Sequence, residues 1–457
     1  MLELDATFLE SWLVQQRWFA SKTRDLAQIN LLEGLELRDD PPLVLALLEA
    51  RFAAGTHELY QLLLTGHAEQ GAEEGSIATR NGFALYDALE DLQPSRELAR
   101  LLCESTTVQG ERGTATFHWV DGAEPVSGDV SVRPVGVEQS NSSVVLDERL
   151  VLKAFRRLQP GDNPELEMVR FLTSHGFAHI ARLAGWYEYS GELMDATLGV
   201  VQEFVADAVD GWELALDGMG AGAPDFEAIA DLGRVTGGMH RILGSDGLDA
   251  DFAPEEPGME SLGLLTATID EEIERMFVDL PAGVEALEPL YGRGEELRDL
   301  LQALSHVGAG GRLIRTHGDF HLGQTLRQGE RWVIIDFEGE PARSLRERRR
   351  KRSPLRDVAG MLRSFAYAAS ASQLLRGVPA PADWEATARA SFLGGYHDAV
   401  DPALLPAGQA ATEKLLSIFE LEKAIYELRY ELNNRPEWVG IPVAGIARLL
   451  DPEEPAP

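Results

Sequence analysis

The apolar positions of this chain fall into three blocks with different periods. In the first, residues 1–90, a helical pattern over Phe8–Trp18 precedes strand-like runs at Ile29–Leu32, Leu43–Phe52 and Glu58–Leu64, separated by Gly- and Glu-rich turns. This predicts a small sheet with a helix on it. In the second, residues 91–205, runs suited to strands cover Ala115–Val120, Val130–Val137, Ser143–Asp147, Arg149–Phe155, Arg182–Tyr189 and Leu198–Val205. One helix, Glu165–Ser174, interrupts them, with Pro164 suited to its first position. From Gly211 onward the period becomes helical. Helix-length patterns cover Asp225–Leu243, Leu264–Phe277, Val284–His306, Pro354–Ala371, Ala382–Val400 and Gln409–Asn433. The glycine-rich Gly218–Gly222 has no strand before it and reads as a flexible loop, and the tail from Asp451 reads as disordered. The fold class is therefore α+β, with a β-rich front and a helical back.

Composition narrows the partners. The 457 residues carry 41 Lys and Arg against 75 Asp and Glu, a formal charge of −34. Such a field repels nucleic acid and anionic membranes and points to small-molecule partners. The single cysteine, Cys103, rules out an internal disulfide and paired-cysteine zinc sites. The acidic N-terminal residues lack a leader's basic segment, and no apolar run reaches membrane-spanning length. A cytoplasmic protein is the expectation.

The chemistry concentrates in Thr316–Gln324 and Val333–Gly339. These segments place Asp319 and Asp336 at two turns flanking a short buried strand, Arg331–Ile335, so both carboxylates can converge. A His-x-Asp turn, a strand and an Asp-Phe-x-Gly-like turn form the layout of protein-kinase phosphoryl transfer. There one aspartate orients the attacking hydroxyl and the other holds magnesium. Upstream, period two puts Val151, Lys153 and Phe155 on one strand face. A lysine there needs a counter-charge, and a kinase supplies it as nucleotide phosphates and a glutamate of the next helix. Glu167 is the preferred partner and Glu165 the second choice, since spacing leaves the register open. The preceding turn lacks a glycine-rich phosphate loop. Phosphate contact would come from backbone amides and from Ser140, Asn141, Ser142 and Ser143, unless this is an ordinary polar hairpin. Backbone groups of Glu203 and Val205 would meet the adenine edge. The basic run Arg346–Arg352 is either a solvated loop or an aid to ligand entry.

The motifs His317-Gly318-Asp319-x-His321-Leu322-Gly323-Gln324, Ile335–Pro341 and Pro354–Phe365 together resemble the actinobacterial maltokinases, in the aminoglycoside phosphotransferase and choline-kinase-like group. Asn163–Glu167, Val201–Phe204, Tyr426-Glu427-x-Arg429, Asn434-Arg435-Pro436-x-Trp438 and Gln16–Phe19 extend the likeness over nearly the whole chain. The resemblance implies a bilobal protein-kinase-like fold: an N-terminal cap (1–90), a nucleotide-binding N-lobe (91–205) and a helical C-lobe (206–457). It implies ATP-dependent conversion of maltose to maltose 1-phosphate, feeding α-glucan synthesis, with a glucosamine-type sugar kinase or a trehalose-synthase partner module as alternatives. ATP and Mg²⁺ are the implied cofactors. Asp319 would accept the hydroxyl proton, and His321 would either touch the phosphoryl group or serve structure. Asp336, Gln324 and Glu338 would hold the metal; Gln324 stands where the wider group has asparagine. His317, Asp357, Arg363, Tyr426, Glu427, Arg429 and Trp438 would bind the sugar, the last four also being candidates for plain helix packing.

Overall fold

The computed structural model describes residues 3–19, 21–66, 76–80, 83–89, 91–126, 130–135, 141–258, 261–305, 310–341 and 343–451. The chain folds as two compact units, Met1–Thr173 with Ala181–Ala206, and Ser174–Ile180 with Asp207–Pro457. The first carries two seven-stranded sheets; the second is mainly helical, so the α+β expectation holds.

In the first unit, strands Leu26–Arg38, Leu43–Phe52 and His57–Gly66 form an antiparallel meander. Phe83–Asp87, Ala78–Arg80 and Glu3–Leu4 extend it, and Arg157–Leu158 also pairs with His57–Gly66. The nearly continuous apolar run of Leu43–Phe52 reflects a strand buried on both faces. Helix Ala6–Leu13, capped by Asp5 accepting from the Phe8 amide at 3.0 Å, lays Leu9 and Leu13 on this core. It stops short of the expected Trp18 because the chain turns, and Trp18 packs inward against Tyr60 instead.

The second sheet runs Thr107–Gln109, Gly113–Trp119, Leu183–Gly191, Asp195–Glu203, Leu150–Ala154, Ser142–Leu146, Val132–Pro134. Helices Leu92–Cys103 and Pro164–Ser174 accompany it. Helix Leu92–Cys103 escaped the sequence reading, although its apolar positions follow a helical period. Between the two sheets lies Arg156, 3 % exposed. It forks onto Asp87 at 3.0 and 2.7 Å, donates to Ser142 Oγ at 2.8 Å, and covers the Trp18 ring at 5.1 Å. Three elements distant in sequence are thus tied to one guanidinium.

The second unit is built on helices Phe226–Leu243, Leu355–Arg376, Trp384–Ala399 and Gln409–Asn434. Val284–His306 is not one helix. Pro289 removes an amide donor and Gly292 turns the chain at φ +78°, leaving a 3₁₀ turn, Glu285–Leu290, and a helix, Gly294–Ser305. The Gly218–Gly222 segment is not a loop throughout: Gly218 and Gly220 close helix Gly211–Gly220, whose N-cap Asp210 accepts from the Trp212 and Glu213 amides. Among the described residues no helix is long and apolar enough to cross a membrane.

Arg156→Ala strips a half-buried carboxylate of its partner. The expected loss is about 3 kcal/mol, read by urea unfolding, with Arg156→Lys retaining part through one remaining bond.

Candidate active site

In the second unit the segments flagged by sequence meet on a small hairpin. Strands Thr325–Gln328 and Arg331–Ile334 pair antiparallel, with Thr325 opposite Ile334. The Ile335 amide donates to the Gln324 carbonyl at 3.0 Å, extending the pairing into both turns. The expected strand to Ile335 therefore ends one residue early. Asp336 sits at φ +62°, a left-handed conformation costly for a non-glycine residue. Gln324 Nε2 donates to its carboxylate at 3.2 Å.

His317 joins the two turns. Its ring is buried between Phe320 and Phe337, at 5.2 and 4.9 Å. A carbonyl only accepts, so Nε2 is the donor to Ile335 O at 2.9 Å. Nδ1 is then free to accept from the Asp319 amide at 3.4 Å. This is the neutral tautomer, and it fixes the loop rather than reaching for a sugar.

The loop is clamped from helix Leu355–Arg376 by residues on one face, at offsets 0, 3 and 7. Asp357, 2 % exposed, accepts the His317 and Gly318 amides at 2.8 and 2.9 Å. It also meets His240 Nε2 at 3.1 Å, while Tyr396 holds the other His240 nitrogen at 3.0 Å. Burial pushes the Asp357 carboxyl up, but the hydrogen bond and charge of His240 and the Gly318 amide bring it below its ordinary value. Gly360 admits the Phe320 carbonyl, which a Cβ there would meet at 2.5 Å. Ser364 Oγ accepts the Leu322 amide at 3.2 Å.

Asp319 stands half-buried at the wall of an open cavity of about 910 Å³ within this unit. Lys423, from helix Gln409–Asn434, lies 3.6 Å from its Oδ1. Burial pushes the lysine's pKa down, but Asp319, Glu427 and Glu340 carry it above the ordinary value. Tyr426 and Phe419 line the same cavity, with Arg343, Arg348, Arg352 and Arg356. Lys423, Arg343 and Arg356 were missed as cavity residues. Arg348 and Arg352 lay inside the flagged basic run, while a lone lysine in a helical pattern carries no signal. The run itself is not simply solvated. Arg348 donates to Glu338 O at 2.9 Å, and Lys351 to Glu255 and Ala250 O, each at 2.8 Å.

Several expected sugar ligands lie elsewhere. Arg363 and Glu427 are buried against each other, with bonds of 3.0 and 2.8 Å. Trp438 is buried, stacked on Tyr367 at 6.2 Å under Arg435. Arg429 is exposed and does not line the cavity. Only Tyr426 and Asp357 of the expected set line it, and the Asp357 carboxylate is committed to the loop. His321 uses Nδ1 to accept the Gly323 amide at 3.1 Å, a structural bond, and burial lowers its pKa. Asp336 and Glu338 offer carboxylate oxygens within 4.8 Å of one another, a hard-oxygen pair suited to Mg²⁺. The Gln324 amide, its nitrogen turned to Asp336, would rotate to add its oxygen.

In the first unit, Lys153 Nζ pairs with Glu165 Oε2 at 2.7 Å. Sequence reasoning preferred Glu167. The helix starts at Pro164, and Asn163 Oδ1 caps the Glu165 amide at 2.8 Å, which sets Glu165 toward the lysine strand. Glu167 is buried in the same turn. Ser143 lies opposite Lys153 in register, its buried hydroxyl without a hydrogen-bond partner, whereas the Ser142 hydroxyl accepts from Arg156. Asn141 is buried beside them, and Ser140 lies outside the described residues. The Glu203 amide donates to Arg182 O at 2.9 Å, so a contact of this residue with an adenine edge would fall to its carbonyl. Val205 follows the strand's end, half-buried.

Residues 12–91 match the maltokinase N-terminal cap domain, and residues 129–393 match the phosphotransferase enzyme family. A glucosamine kinase of Mycolicibacterium smegmatis is 30 % identical over 329 residues, covering 70 % of this chain and 79 % of that one. One of Streptacidiphilus jiangxiensis is 29 % identical over 343 residues, covering 72 % and 75 %. A solved glucosamine kinase, in complex with glucosamine, ADP and inorganic phosphate, has the same fold at 22 % identity, with a TM-score of 0.70 over 96 % of both chains.

Asp357→Ala leaves the buried His317 amide and the Gly318 amide without their acceptor. The expected cost is about 3 kcal/mol or more, measured as a fall in unfolding free energy, with faster hydrogen exchange at the His317 and Gly318 amides.

Proposed function

The chain belongs to the phosphotransferase enzyme family, and from that premise we propose that it transfers the γ-phosphoryl group of ATP to maltose, giving maltose 1-phosphate. The observation that carries the reading is the cavity at Asp319, whose wall holds five basic side chains, Arg343, Arg348, Arg352, Arg356 and Lys423, beside six carboxyls. Such a wall offers both donors and acceptors to the hydroxyls of a sugar. The choice of maltose rests on Phe419 and Tyr426, which give the open cavity two apolar faces for sugar rings. In this reading Asp319 accepts the hydroxyl proton late in an in-line transfer, and Lys423 holds that carboxylate in place. Lys153, set by Glu165, grips the α- and β-phosphates. Mg²⁺, held by Asp336 and Glu338 with Gln324, would neutralise charge on the phosphates. Trehalose synthase would supply the maltose.

Glucosamine is the second reading. It is supported by the names of the two relatives and by Glu272, a cavity carboxyl that burial pushes up and that forms no ion pair among the described residues.

Two measurements test this. Asp319→Asn should lower kcat by roughly 10²–10⁴ with the melting temperature preserved; near-normal turnover removes Asp319 from the mechanism. In a panel with ATP and Mg²⁺, maltose should exceed glucosamine in kcat/KM by at least about tenfold, with the phosphate assigned to the anomeric oxygen by NMR. The reverse order transfers the assignment to glucosamine.

A further inference from the structure

The charges lining the Asp319 cavity mostly cancel in pairs. Lys423 faces Asp319 at 3.6 Å, Arg343 meets Glu340 at 2.5 Å, and Arg356 meets Glu422 at 2.9 Å. Asp357 is filled by two amides and His240. Glu347 turns back onto Ser344, accepting its amide at 3.0 Å and its hydroxyl at 2.7 Å. Among the described basic residues of the wall Arg352 is the exception, as Glu272 is among the acids. Its guanidinium donates to one carbonyl, Glu347 O, at 3.3 Å, and no described carboxylate forms an ion pair with it.

The backbone that carries this guanidinium is held firmly. The Arg352 backbone forms an antiparallel bridge with Ile314, with hydrogen bonds of 2.7 and 2.9 Å, two residues before the loop that carries Asp319. Burial, then the charges of Arg356 and Arg343, lower its pKa to about 10. A half-buried cation beside other cations is an unfavourable arrangement that an incoming anion relieves. The acidity of the chain sharpens the point, since a net charge of −34 makes such a cluster a local construction.

We propose that Arg352, flanked by Arg343 and Arg356, is an anion-accepting corner of this cavity that takes the phosphate group of a sugar phosphate, so that the protein is held by phosphorylated sugars of the class it would produce. The fork of a guanidinium matches the oxygens of a phosphate monoester. The inference rests on the reading of the cavity as the acceptor site of a sugar kinase, and goes beyond it by adding feedback at that site.

The test is calorimetry on the full chain without nucleotide or Mg²⁺, so it does not depend on turnover. The ligands are maltose, maltose 1-phosphate, glucose, glucose 1-phosphate and inorganic phosphate. Each sugar phosphate should bind at least about tenfold more tightly than its parent sugar. Arg352→Gln should reduce that ratio to near unity, and Arg352→Lys, which keeps the charge without the fork, should restore part of it. A ratio unchanged in Arg352→Gln, with a normal melting curve, overturns the assignment. Inorganic phosphate binding as tightly as glucose 1-phosphate would make this a free-phosphate site and overturn the sugar-phosphate part. Displacement of glucose 1-phosphate by ATP but not by maltose would place the anion at the nucleotide and overturn the whole. Failure of the maltose assignment would show only in the substrate panel, because the glucose pair reads the corner independently.

Discussion

The carboxylate of Asp357 is buried to the point where an unpaired charge would be ruinous, and everything around it is arranged to supply donors. Two come from the backbone at His317 and Gly318, and a third from His240, itself held by Tyr396. Because the backbone donors belong to the loop that presents Asp319, satisfying one buried charge also sets the path of that loop. The same helix face then admits the Phe320 carbonyl at Gly360 and takes the Leu322 amide at Ser364. His317 passes the constraint on to the second turn through Ile335. Order at Asp336 therefore follows from burial at Asp357, before any ligand is considered.

Electrostatics divides along a similar line. Over most of the chain acids outnumber bases, and many of the ion pairs are exposed and worth little. The arginines that matter are those taken out of water. Arg156 joins two sheets, Arg363 joins two helices, and Arg343, Arg352 and Arg356 line the cavity. The planar fork allows each to serve several acceptors from one position.

The sequence made the layered plan legible because period and turn chemistry are local properties. The strands at Leu43–Phe52 and Leu150–Ala154 and the helix beginning at Pro164 were all readable from a few neighbouring residues. Asp319 and Asp336 were legible because two turns and a short strand bring them together without help from distant chain. What failed depended on tertiary partners. Glu165 and Glu167 share a helical turn, and only the set of that helix distinguishes them. Arg363, Glu427 and Trp438 have the polarity and shape of sugar ligands, yet each found a protein partner first. Lys423 was invisible for the converse reason: its meaning lies entirely in Asp319, more than a hundred residues away.

The contacts between helices Leu355–Arg376 and Gln409–Asn434 carry a consequence for divergence. Arg356 with Glu422, Arg363 with Glu427 and Tyr367 with Glu431 form three rungs in matching order along both helices. Sliding one helix by a turn would break all three at once and strand the buried charge of Arg363, so the register behaves as locked. Lys423 and Tyr426 project from the locked helix into the cavity. New acceptor preferences can then arise by exchanging side chains at such positions, while the frame that aims Asp319 stays where it is. A scaffold of this kind lets lineages trade one sugar for another by single substitutions, and makes substrate identity change faster than fold or reaction.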